Sequence, residues 1–136
     1  MSEKKVGAKV PNPAGPYSLV READGWLFLS GQIALDPETG VLVQGGIREE
    51  TRKVLENIRH LLESCGLSWQ ACVKTTIYLV EMKDFGTVNE IYGKVLSKPY
   101  PARSTVGVKE LPKGARIEIE VIAKRIEDKE PVKMVL

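Results

Sequence analysis

The period of the apolar positions changes several times along the chain, and each change marks an element. Pro11, Pro13, Gly15 and Pro16 make a turn-rich start that is extended rather than helical. Residues 17–21 read as a short first strand, and Asp24-Gly25 supplies a hairpin turn. Residues 26–33 follow as a nearly continuous apolar strand, broken by Ser30-Gly31-Gln32, and Asp36 to Gly40 form a polar loop. The period then lengthens. Ile47, Thr51, Val54, Leu55, Ile58, Leu61, Leu62 and Cys65 recur at helical spacing and predict a helix over 47–65. Glu49 and Glu50 suit its dipole, and Gly66 stands where a C-terminal cap belongs. After a connector at 68–71, Val73, Thr75, Ile77 and Leu79 alternate with Lys74, Thr76, Tyr78 and Val80, the pattern of a strand. Asp84 is placed to cap a second helix running to about Ser97, with a stripe of Phe85, Val88, Ile91, Tyr92 and Val95. Pro99 and Pro101 end it. A strand at 104–108, a turn at 111–114 and an alternating strand at 117–124 complete the order.

Strand, strand, helix, strand, helix, strand, strand implies an α+β fold, a mixed sheet with two helices on one face. The 136 residues fit one domain, with a core at about 13–126 and a charged tail over 127–136. Two helices cover only one face, yet Trp26, Leu27, Phe28 and Leu29 are apolar toward both. Tyr78, Val80 and Ile122 add apolar surface to the second face. Such a face is unusual on a monomer and implies cover by other copies in a closed symmetric oligomer. Loops folded over a central strand are the alternative.

Composition narrows the function. A net charge of +2 with scattered basic residues gives no footprint for nucleic acid or an anionic membrane. Cys65 and Cys72 have no metal or redox spacing and read as small buried hydrophobes, and His60, the only histidine, reads as the exposed side of a helix, so no metal is expected. No apolar run approaches the ~20 residues of a membrane span, and residues 1–10 do not read as a signal peptide. A cytoplasmic protein is the expectation.

Three patches place polar residues where neither core nor turn requires them: Gly15-Pro16-Tyr17-Ser18, Ser30-Gly31-Gln32, and Pro101-Ala102-Arg103-Ser104-Thr105 with Glu118 beyond it. Arg103 follows two prolines that restrict its backbone, and its planar fork suits a carboxylate; a surface or interface ion pair is the plainer use. Glu118 is a carboxylate able to orient water, or part of a solvated strand face. The turn at 111–114 could bring the two together if their strands are neighbours. Tyr17 is a hydrogen-bonding lid or packing. Ser30 and Gly31 could present hydroxyl and backbone donors to an anion, or form a bulge. Asn89 by itself is a helix-surface residue.

In this order the patches resemble the RidA family, also called the YjgF family. The resemblance rests on Gly15-Pro16-Tyr17-Ser18, Ser30-Gly31-Gln32, Asp36-Pro37-Glu38-Thr39-Gly40, Val73-Lys74-Thr75-Thr76, Asp84-Phe85 through Val88-Asn89-Glu90-Ile91-Tyr92, Pro101-Ala102-Arg103-Ser104, and Leu111-Pro112-Lys113 leading to Ile117-Glu118-Ile119-Glu120. It implies a chorismate-mutase-like fold and a homotrimer whose sheets form a central barrel, with sites in clefts between subunits. It implies hydrolysis of 2-aminoacrylate and related imines (2-iminopropanoate, 2-iminobutanoate) to 2-oxo acids and ammonia, without a cofactor. On the family pattern Arg103 binds the substrate carboxylate and Glu118 holds the attacking water. Tyr17, Ser30, Gly31, Asn89 and Thr105 line the pocket; several family members carry Cys where Thr105 stands. Rival readings are a carboxylate-binding regulator that needs Arg103 but not Glu118, an RNA-acting inhibitor of translation, which the weak charge disfavours, and a scaffold indifferent to both residues.

Overall fold

The computed structural model describes residues 10–126. The tail assigned to 127–136 and the first nine residues lie outside the described residues. The elements follow the predicted order: β1 (Val20–Ala23), β2 (Trp26–Gln32), α1 (Gly46–Ser64), β3 (Cys72–Leu79), α2 (Phe85–Val95), β4 (Ala102–Gly107) and β5 (Ile117–Lys124). They make one five-stranded mixed sheet in the order β1-β2-β5-β3-β4, with β3 and β4 parallel and the other pairs antiparallel. No described helix is long and apolar enough to cross a membrane.

Several boundaries differ from the expected ones for local reasons. β1 begins at Val20, so Tyr17 lies in the bend before it rather than in the strand. Asp84 gives no side-chain cap; a short 3₁₀ turn over Met82–Asp84 leads into α2 instead. That helix stops at Val95, and Leu96 is already extended, ahead of Pro99 and Pro101. α1 starts at Gly46, and the φ of Gly45 and Gly46, 118° and 79°, are available to glycine at little cost.

The core lies between the helices and one sheet face. Val54, Leu55, Ile58, Leu61 and Leu62 of α1 are fully buried against Leu27, Ile77, Leu79, Ile117 and Ile119. At about 1.5–3 kcal/mol per buried side chain, this seam dominates the stability of the fold. Cys72 belongs to it, and burial pushes its thiol up to about 12; Cys65 is only half-buried.

The other sheet face is open. Trp26 and Phe28 are 40% and 47% exposed on β2, while Leu27 and Leu29 between them are buried. Among the described residues no loop covers the strand. β2 is not the central strand either; β5 is.

Candidate active site

Register and burial place each candidate residue on one face or the other. On β5, Ile117, Ile119, Val121 and Ala123 are buried toward the helices, so Glu118, Glu120, Ile122 and Lys124 point to the open face. Thr75 and Ile77 of β3 pair with Val121 and Ile119 and share their buried side. Arg103 and Thr105 pair with Thr75 and Ile77, so they too belong to the helix face. The expected approach of Arg103 to Glu118 across neighbouring strands does not occur. β3 lies between β4 and β5, and the two side chains leave the sheet on opposite sides. The physical reason is the parallel pairing of β3 with β4, which puts β4 at the sheet edge rather than beside β5 after the 111–114 turn.

The helix-face group is built by α2. Phe85, Asn89 and Tyr92 stand at i, i+4 and i+7 and form one stripe facing β4. Arg103 Nη2 donates to Asn89 Oδ1 at 2.5 Å. The guanidinium carbon lies 5.5 Å from the Phe85 ring centroid and 4.9 Å from that of Tyr92, within cation–π range of both. Tyr92 is fixed in turn by a 2.9 Å hydrogen bond between its hydroxyl and Thr75 Oγ1. Among the described residues no carboxylate forms an ion pair with Arg103. Two residues further on, Thr105 Oγ1 is buried without a hydrogen-bond partner. The arrangement is a half-buried, oriented cation with donors to spare.

The open-face group is built by β2, β5 and the segment before β1. Between Leu29 and Gln32 the strand spends three residues against two of β5, a bulge at Ser30-Gly31. The bulge is real, and it brings Gly31 against Glu118: a Cβ at Gly31 would lie 2.6 Å from Glu118 Oε2. Ser30 Oγ donates to the Ser18 carbonyl at 2.6 Å. Its proton is therefore committed within the chain. Tyr17, 48% exposed, accepts a hydrogen bond from Ala14 N and lines a shallow cleft of about 470 Å³ with Ser18, Arg21, Phe28, Ser30 and Glu120. Burial, and then the nearby charge of Glu120, pushes the Glu118 carboxyl above its ordinary range.

Thus Gly31 touches Glu118 on the open face, where Tyr17 and Ser30 line a cleft with Glu120, while Asn89 and Arg103 are bonded on the helix face that Thr105 shares. Asn89, plain helix surface from sequence, is half-buried and holds Arg103. Phe85 and Tyr92 were assigned only to the core stripe; their spacing with Asn89 was the available sign of a shared task. Tyr78, read from sequence only as apolar surface of the second face, and Glu120, read only as part of a motif, carry no sequence sign of their contact. Among the described residues no cluster of three or more His, Cys, Asp or Glu could hold a metal ion.

Comparison with known proteins agrees with this fold. The family model described as Endoribonuclease L-PSP matches residues 7–125. A human protein named 2-iminobutanoate/2-iminopropanoate deaminase is 45% identical over 116 residues, covering 85% of each chain. The crystal structure of RidA from an Antarctic Psychrobacter species superposes with a TM-score of 0.84 at 36% identity, covering 89% of this chain and 99% of its own. E. coli TdcF, crystallised with bound serine, superposes with a TM-score of 0.83 at 34% identity, covering 90% of this chain and all of its own. A match of this extent in both sequence and fold identifies the chain as a member of the RidA family.

Proposed function

We propose that this chain hydrolyses small 2-imino acids, the tautomers of 2-aminoacrylate and 2-aminocrotonate, to 2-oxo acids and ammonia, and that it does so as a homotrimer in the cytoplasm. The observation that carries the reading is Arg103: a half-buried guanidinium held by Asn89 between two rings and paired with no carboxylate among the described residues. Such a group is oriented for a carboxylate that arrives from outside. The names of close relatives support the reaction, and the serine bound by TdcF supports a small amino-acid-like ligand.

Because Arg103 and Glu118 leave opposite faces of the sheet, one copy cannot complete the groove. The exposed Trp26, Phe28 and Val106 on the open face supply the surface on which a second copy docks. In that assembly Arg103 of one copy binds the substrate carboxylate and Glu118 of its neighbour faces the imine carbon. Tyr17, Ser30 and Gly31 line the Glu118 side, and Asn89 and Thr105 the Arg103 side. Glu118 takes a proton from water as the water oxygen bonds to the imine carbon. The imine reacts in its protonated form, so the addition leaves a neutral carbinolamine; Glu118 then returns its proton to the amino nitrogen, the C–N bond breaks, and the hydroxyl proton passes to the departing ammonia as the carbonyl forms. An elevated Glu118 suits both steps, being easier to protonate than a free glutamate. Its base form is lost as pH falls through that raised value, so activity declines on the acid side earlier than an ordinary carboxylate predicts.

The test is a coupled assay in which a dehydratase generates 2-aminoacrylate and its decay is followed with and without this protein. Acceleration by the wild type, lost in Arg103→Ala with the oligomer intact, is the expected result; unchanged clearance by that variant overturns the assignment. Glu118→Gln separates enzyme from regulator, because a carboxylate-binding regulator keeps working without the carboxylate.

A further inference from the structure

The open face of β5 carries two carboxylates that differ in their surroundings. Glu118 and Glu120 point the same way and are separated by about 7 Å of extended strand. Tyr78 of β3 stands directly opposite Glu118 in the register, but its hydroxyl reaches diagonally and donates to Glu120 Oε1 at 2.6 Å. That is a short charge-assisted bond, and it fixes the Glu120 carboxylate. We propose that Tyr78 and Glu120 are positioning residues: Tyr78 fixes the Glu120 carboxyl beside Glu118, and Glu120 so placed sets how readily Glu118 keeps the proton it takes from water. The inference rests on the reading of Glu118 as the group that activates water.

The geometry gives the two carboxylates separate work. Glu120 accepts the Tyr78 phenol hydrogen bond, which fixes its place on the open face. The phenol responds as expected, pushed up to about 12 chiefly by that bond. Glu118 packs against the backbone of Gly31 and is half-buried. It is raised first by burial and then by Glu120. A carboxyl raised by burial beside one held in place by a phenol assigns the proton carrier to Glu118 and the positioning role to Glu120. The remaining charged groups on this face are Arg21 of β1, which lines the cleft with Glu120, Lys74 of β3, which donates to Ser104 Oγ at 2.8 Å, and Lys124 of β5, which donates to the Asp24 carbonyl at 2.8 Å. Among the described residues none of the three forms an ion pair with Glu118 or Glu120.

The experiment titrates the side-chain carboxyls of the full-length assembled protein by carbon-13 NMR, with Glu118→Gln used to assign the Glu118 signal, and measures kcat for 2-aminoacrylate clearance against pH. In Glu120→Gln the Glu118 midpoint is expected to fall by about half a unit to one unit, and the acid limb of kcat to move down with it. In Tyr78→Phe the Glu118 midpoint is expected to fall as well, by less, because the Glu120 carboxyl is released to swing away. A Glu118 midpoint that stays put in Glu120→Gln or in Tyr78→Phe overturns the proposal. The two readouts fail separately. A wild type that clears no imine yet shows both NMR shifts refutes the deaminase reading and leaves the proton coupling standing; clearance without the shifts does the reverse.

Discussion

Gly31 lets the backbone of β2 lie directly against the Glu118 carboxylate. Its φ is not positive, so the demand for glycine here is one of space: an added Cβ would sit 2.6 Å from Oε2 and 2.7 Å from Cδ. The obstacle is the far end of a flexible side chain, so Gly31→Ala should fold with little loss of stability while swinging the carboxylate aside. A displacement of about 1 Å at a reacting group costs up to ~100-fold in rate. The expected outcome is a kcat/KM reduced about tenfold or more in the coupled assay, with a thermal midpoint close to wild type. A variant as active as wild type would show that Glu118 does not work from the position the bulge gives it. Ser30 and Gly31 were legible beforehand, since a polar pair interrupts an otherwise apolar strand. Tyr78 and Glu120 were not, because what distinguishes them is a diagonal contact across 42 residues of sequence.

At the scale of elements, the site depends on how β5 is held at its start. Glu50 of α1 is completely buried, accepting from the Arg116 backbone N–H at 2.8 Å and from Arg116 Nη1 at 2.7 Å. This pins the first turn of α1 to the residue before β5 and fixes where Glu118, two positions on, emerges. Sequence reasoning assigned Glu50 to the helix dipole along with Glu49. Its real partner is 66 residues away, and no local pattern shows a contact of that range. Truncation to Glu50→Ala leaves the Arg116 N–H without this partner and opens a cavity where the carboxylate was buried. Arg116 is 53% exposed and regains water, which limits the loss, so the expected cost is about 2–3 kcal/mol in denaturant unfolding. A change under about 0.5 kcal/mol, the level of an ordinary surface substitution, would refute the tie. Element type and order were readable because period-2 and period-3.6 patterns are written in consecutive residues. The parallel β3–β4 pairing was not, since it depends on which edge the chain returns to after α2, and it removes the condition of neighbouring strands on which an approach of Arg103 to Glu118 depended.

For the whole molecule, the same sheet has one face filled by helices and one left apolar and open, and the two polar groups lie on opposite sides of it. If the groove forms within a single copy, an Arg103→Ala chain and a Glu118→Gln chain are both dead and no mixture of them revives activity. If it forms between copies, the Glu118→Gln chain still lends its arginine and the Arg103→Ala chain still lends its glutamate. Co-assembled in equal amounts, half of the grooves receive a sound arginine and half of those a sound glutamate. Head-to-tail rings of the mixed chains should therefore recover about one quarter of wild-type clearance. The measurement is imine decay by co-refolded variants beside each variant refolded alone. Recovery only in the mixture assigns the groove to two copies; its absence, with mixed oligomers verified by mass spectrometry, removes the shared site and with it the proposed mechanism.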